Sequence, residues 1–171
     1  LRIVALALFA LAANVYAQSP REQLNQMVVQ LQRTPNDSAL RERIIKLATG
    51  ITPALAIPEE AREPFVMGAT VLKRAADAAG VSKAVDLFTQ ALNVAPWFAE
   101  AYYNRAIARE TAGRFEAAMD DLKLYLEFNL TDAKRRETQD KIYALKADAL
   151  LASAKKAEQD KIANADEARR Q

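Results

Sequence analysis

From Leu24 onward the apolar residues of this chain recur at the spacing of one face of a helix. Leu24, Met27, Val28 and Leu31 form such a face, and it ends at Thr34-Pro35 because the residue before a proline is driven out of the α region. Asn36, Asp37 and Ser38 supply capping groups for a second helix whose stripe is Leu40, Ile44 and Leu47. Gly50 stops it, with Pro53 just beyond. Residues 18–50 are therefore expected to form an N-terminal helical hairpin. Residues 51–64 hold Pro53, Pro58 and Pro64 with no sustained period, which predicts a semi-rigid connection. Pro58-Glu59-Glu60 suits the opening of a short helix there, and Pro64 suits the first turn of the helix that follows, where a missing N–H costs nothing.

Past that point the pattern repeats. Ala84, Phe88, Ala91 and Pro96 return 34 positions later as Ala118, Leu122, Tyr125 and Leu130, and a helix–turn–helix unit of about 34 residues is the period of tetratricopeptide repeats. The second copy resembles that family closely. Ala99-Glu100-Ala101-Tyr102-Tyr103-Asn104 opens its first helix, Ala106 is the small residue where two helices approach, Gly113 makes the turn, and Phe115, Ala118 and Leu122 return the second helix onto the first. The first copy departs at Leu72, where the family prefers a small residue, and at Gly80, which falls one place late. Leu130 replaces the family's terminal proline and bulky Tyr125 holds a usual alanine position, so the next helix is expected to pack differently.

The resemblance implies an all-α protein in which antiparallel helical hairpins stack as a short TPR-like superhelix, with two repeats over 65–130. From Thr131 the composition stays helical. Thr138, Ile142, Leu145 and Ala149 form a stripe fit to cover the last repeat, and repeat arrays need such a cap because their end faces are otherwise apolar. Residues 131–171 thus read as a C-terminal capping helix and a charged tail. After Leu151 the stripe thins to Ala154, Ala157 and Ile162, so the last dozen or so residues are expected to be exposed.

The N-terminus breaks this pattern. Arg2, the apolar run from Ile3 to Ala13 and the Val15-Tyr16-Ala17 exit read as a signal peptide over 1–17, cleaved before Gln18. Eleven apolar residues fall short of the roughly 20 that a spanning helix needs. A periplasmic or secreted location follows, with no stable membrane span once the signal is removed. With no cysteine, the 171-residue chain must hold itself together by packing.

Composition narrows the chemistry. Lys and Arg number 24 against 22 Asp and Glu, a net charge of +2 with no basic block, so nucleic acid is not an expected partner. Histidine and cysteine are both absent, which closes the usual routes to nucleophilic catalysis and to an N/S-ligated metal. Gly50, Gly68, Gly80 and Gly113 are too dispersed to cradle a phosphate or a dinucleotide. Asp120 and Asp121 point about 100° apart on a helix and read as a solvated face. The expectation is a protein that is not an enzyme and takes no cofactor or metal.

What remains is surface. In the family the first helix of each repeat lines a concave face, and the resemblance carries that face onto Glu100, Tyr103, Asn104, Ile107, Glu110 and Thr111 of the second copy. In the first copy the matching positions are Val66, Ala69, Thr70, Lys73, Ala76 and Asp77, with Lys134 and Lys141 on the helix beyond. Asn104 and Lys134 also stand at two positions of the family's carboxylate clamp, while Ala69, Lys73 and Thr138 replace its other groups. Trp97 and Phe98, in the turn between copies, are either aromatic anchors for a partner or packing that sets the repeat angle. The resemblance implies a scaffold or assembly module of the bacterial cell envelope that binds an unidentified protein or peptide. The alternative is a non-catalytic helical domain or subunit of a larger envelope enzyme or transport complex.

Overall fold

The computed structural model of the chain describes residues 18–170, which form seven helices and no strand. The expected signal segment, residues 1–17, lies outside the described residues. Helix α1 (Pro20–Arg33) opens on a capping box in which Ser19 and Glu22 satisfy each other's backbone N–H groups, with Pro20 in the first turn. Helix α2 (Ser38–Thr49) is capped by Asp37, whose Oδ1 accepts from the Leu40 N–H at 2.8 Å. Leu24, Leu31, Leu40 and Ile44 close the hairpin between them.

Helix α3 (Glu59–Arg74) starts earlier than Pro64, which lies inside it. Pro58 supplies the extended N-cap geometry, and Glu59 and Glu60 set carboxylates against the positive end of the helix. The irregular connection is correspondingly shorter than 51–64. Helix α4 (Ala78–Val94) is capped by Asp77, which accepts from the Gly80 N–H at 2.8 Å. Gly80 is thus within the first turn of α4 and is not a turn glycine. The close approach of α3 to α4 falls at Gly68, where an added Cβ would lie 3.0 Å from the Phe88 ring and 3.2 Å from Leu87.

Helices α5 (Ala99–Thr111) and α6 (Phe115–Leu126) are joined by Gly113 at φ 69°. The Gly113 N–H donates to Glu110 O and the Arg114 N–H to Arg109 O, both at 2.8 Å, which is the paired bonding of a left-handed helix stop. Helix α7 (Asp132–Arg170) runs for 39 residues, about 58 Å at 1.5 Å per residue. Thr138, Ile142 and Leu145 bury its first half against Ala106, Ala118 and Leu122, whereas every residue from Leu151 to Arg170 is exposed.

The helices pack in chain order from α3 to α7, each against the next, and α3 also touches α5. The N-terminal hairpin joins differently: α2 packs against α6. Ile45 enters the central core beside Tyr102, Leu124 and Phe128, and Lys46 pairs with Glu127 at 3.3 Å. Phe65 ties the first pair of helices to this core, its ring 4.5 Å from Phe98 and 5.8 Å from Phe88.

Candidate functional site

Two adjacent tyrosines of α5 face different ways because successive helical residues are about 100° apart. Tyr102 is fully buried, with its hydroxyl donating to Pro96 O at 3.0 Å. Burial raises the Tyr102 phenol above its ordinary value, and the nearby Arg41 acts in the opposite sense. Tyr103 is half-buried, its ring 5.2 Å from that of Tyr125 and 4.5 Å from the Lys134 ammonium. Its hydroxyl donates to Glu137 at 3.4 Å.

Lys134 also donates to Glu137 at 2.9 Å, and this hydrogen bond raises the ammonium above its usual value and lowers the carboxyl. Farther along the same seam Lys141 pairs with Glu110 at 2.7 Å. The first half of α7 therefore lies beside the very positions of α5 expected to form a concave surface. Asn104 donates to Glu100 O of its own helix at 2.8 Å. The two groups expected to resemble a carboxylate clamp, Asn104 and Lys134, are both engaged within the chain. Ile107 is partly buried, and Lys73 is exposed on α3.

Trp97 and Phe98 separate in role. Phe98 is 7% exposed and sits in the core against Phe65, so it is packing and not a surface anchor. Trp97 is partly exposed, touches both the central core and the N-terminal hairpin, and donates from Nε1 to Ala56 O at 3.3 Å. It borders a cleft of about 370 Å³ between the 51–58 connection and the α5–α6 pair, lined also by Ile51, Leu55, Glu100, Tyr125 and Phe128. That lies within the roughly 300–1,000 Å³ typical of ligand sites, and apolar walls with few polar groups are their usual composition. Glu100 is the single charged side chain on it.

The expectation of a solvated Asp120-Asp121 face holds for one residue only. Asp120 is exposed and pairs with Lys123 at 2.9 Å. Asp121 is buried, 1% exposed, and accepts from Arg105 through Nη2 at 2.6 Å and Nε at 2.9 Å, with Arg109 Nη1 at 2.8 Å. The periodic signal was present: Asp121 lies three after Ala118 and four before Tyr125, inside the apolar stripe of α6. Arg41 likewise shares the α2 stripe with Ile44, Ile45 and Ala48 and is 5% exposed. No comparison returned a match, whether with protein-family models, curated proteins or solved structures. Among the described residues no helix is long and apolar enough to cross a membrane.

Proposed function

We propose that this chain is an exported, tetratricopeptide-like scaffold that captures a protein or peptide in the bacterial cell envelope and carries out no catalysis. The observation that carries the reading is the cleft beneath Trp97: an apolar, aromatic-lined depression of about 370 Å³ that continues onto α5 at Glu100. An apolar peptide side chain fits such a depression, with the Glu100 carboxylate at hand for a backbone N–H or a cationic group. Asn104 and Ile107 follow Glu100 along α5 as an adjoining surface. Other features support the repeat architecture: the serial packing of α3 to α7, the left-handed Gly113 turn, and the burial of Ala106, Ala118 and Leu122 under α7 as a cap would require. The Arg2 to Ala17 pattern supports export.

The test places a photo-crosslinking amino acid at Glu100, and separately at Lys83 on α4, in protein expressed in its own cells. A discrete adduct from position 100 and none from position 83 is the expected result. Equal labelling at both, or none at position 100, removes the cleft as the capture site. The long exposed run of α7 favours a second reading, a helical subunit of a larger envelope complex in which that run is covered. Adducts from Leu150 or Ile162 in place of position 100 would support it.

A further inference from the structure

A second cleft, of about 270 Å³, opens on another side of α5, where α2, α4 and α6 meet. Arg41, Arg105 and Arg109 line it together with Asp120 and Asp121. Three guanidinium groups thus face two carboxylates, and the carboxylates are already committed. Asp121 is divided between Arg105 and Arg109, and Asp120 is held by Lys123.

Arg41 has no carboxylate partner among the described residues. It is 5% exposed, and it donates to Pro35 O at 2.9 and 3.3 Å, to Leu92 O at 3.4 Å and to Asn93 Oδ1 at 3.4 Å. The bonds to Leu92 and Asn93 anchor α2 to the last turn of α4 and those to Pro35 hold the connection before α2, yet neutral carbonyl groups leave the charge itself uncompensated. A buried charge without a counter-charge is costly, and a structure that keeps one favours an incoming ion of opposite sign. Nearby, burial first and the neighbouring Arg105 second push the Arg109 guanidinium below its ordinary value, with Asp121 acting the other way. The pairing of the lining side chains leaves positive charge in excess across the cleft as a whole.

We propose that this arginine-lined cleft binds a carboxylate, held between Arg41 and Arg109. The charge balance selects an anion: with Asp120 taken up by Lys123, three guanidinium groups share the single charge of Asp121, which leaves one positive charge at Arg41 and one divided between Arg105 and Arg109. Size selects a small one, because about 270 Å³ falls below the roughly 300 Å³ at which drug-sized sites begin. A free short-chain acid fits, as does the carboxylate of a peptide side chain or C-terminus. Arg109 engages Ala117 O and Asp121 through Nη1 alone, so its Nε and Nη2 edge can present two parallel N–H donors to the two oxygens of a planar carboxylate, and Arg41 adds its remaining Nη1 N–H. The site is independent of the Trp97 cleft and of the scaffold reading built on it.

The experiment is an NMR titration that follows the arginine Nε–Hε resonances of the full chain at constant ionic strength. The probes are propionate, chloride, inorganic phosphate, and a short peptide with either a free or an amidated C-terminus. Saturable shifts at Arg41 and Arg109 with propionate, absent with chloride and weaker with phosphate, are expected. Arg109→Gln, at a side chain that is 21% exposed, should weaken propionate at least tenfold, and Lys83→Ala, at an exposed position of α4 outside the cleft, should leave it unchanged. Binding of the free-acid peptide but not the amide would assign the source to a peptide C-terminus, and propionate binding alone would assign it to a small acid. Both results support the carboxylate site. Shifts that fail to saturate, that chloride reproduces, or that phosphate exceeds would overturn it, and none of these readouts depends on an Arg41 variant folding.

Discussion

Arg105 of α5 and Asp121 of α6 meet as a two-point pair, with Nη2 2.6 Å and Nε 2.9 Å from the two carboxylate oxygens and both side chains almost wholly buried. Arg109 adds a third donor at 2.8 Å. The pair fixes how α5 and α6 face each other, because a planar fork accepts a carboxylate in only a narrow range of orientations. Removing the acid would strand two guanidinium groups. We therefore expect Asp121→Ala to destabilise the fold by about 3–5 kcal/mol. Asp120→Ala, which breaks only an exposed pair with Lys123, should cost under about 1 kcal/mol. Urea unfolding of the two variants checks the contrast, and equal midpoints would show that the Asp121 pair does not hold α5 to α6.

Gly113 and Gly50 give a similar contrast in backbone. Gly113 has φ 69°, in the left-handed region, and an added Cβ would meet no atom within 4 Å. The penalty for Gly113→Val is therefore conformational, about 1–2 kcal/mol. Gly50 sits at φ −89°, where any residue is at ease, so Gly50→Val should leave the thermal midpoint close to that of the parent. A larger drop for Gly50→Val would contradict the assignment of strain to Gly113.

Periodicity made the interior legible and polarity hid part of it. Ala84, Phe88, Ala91, Ala118, Leu122 and Tyr102 are buried as their spacing implies, because apolar burial is what sets that spacing. Arg41, Arg105 and Asp121 occupy equivalent stripe positions, but a charged residue reads as solvated until its partner, 16 residues away for Arg105 and Asp121, is known to face it. Gly68 was similarly silent: only the approach of Phe88 explains why a Cβ is missing there. The start of α3 at Glu59 was obscured by Pro64, since a proline inside a helix is costlier than one at its beginning. On the candidate surface, sequence identified Tyr103, Glu110 and Lys134 individually. It also placed Lys134 and Lys141 on the helix beyond, but not the bonds of Tyr103 and Lys134 to Glu137 or of Lys141 to Glu110, because charged partners on a facing helix carry no periodic signal.

Tyr102 should make stability fall in alkali. Its phenol is raised by burial, so the unfolded chain releases that proton first, near the ordinary pKa of about 10. Its contribution is then complete below about pH 10 and is lost as pH climbs toward the folded value. The raised Lys46 and Lys134 act in the same direction through their bonds to Glu42, Glu127 and Glu137, so the informative quantity is a difference. Tyr102→Phe should be less stable than the parent at pH 7 by about 1 kcal/mol for the lost bond to Pro96, with that gap narrowing above pH 10. A gap that stays constant to pH 11 would show that Tyr102 ionises alike in both states.

The two tyrosines of α5 should also separate stability from capture. Tyr102 is completely buried with its ring 6.0 Å from that of Phe128, and Tyr102→Ala should cost about 3–5 kcal/mol as a large-to-small change in a packed core. Tyr103→Ala with Asn104→Ala removes a half-exposed ring and an amide bonded to its own helix. The ring's contact with Lys134 is 4.5 Å, and such a pairing contributes about 0.5–1 kcal/mol at an exposed site. The double variant should therefore stay folded and melt well above Tyr102→Ala. Its effect should appear in binding instead. An aromatic anchor at an interface is worth about 2 kcal/mol or more, which corresponds to about thirtyfold in affinity at 1.4 kcal/mol per decade. Co-purification from the envelope fraction, scored for parent and double variant at equal folded concentration, measures this directly. If the double variant melts like Tyr102→Ala, then Tyr103 belongs to the core despite its exposure. If it folds and recovers the same partner in full, capture does not use this face of α5, and Trp97→Ala at the neighbouring cleft becomes the variant that decides whether Glu100 and Trp97 hold the partner by themselves.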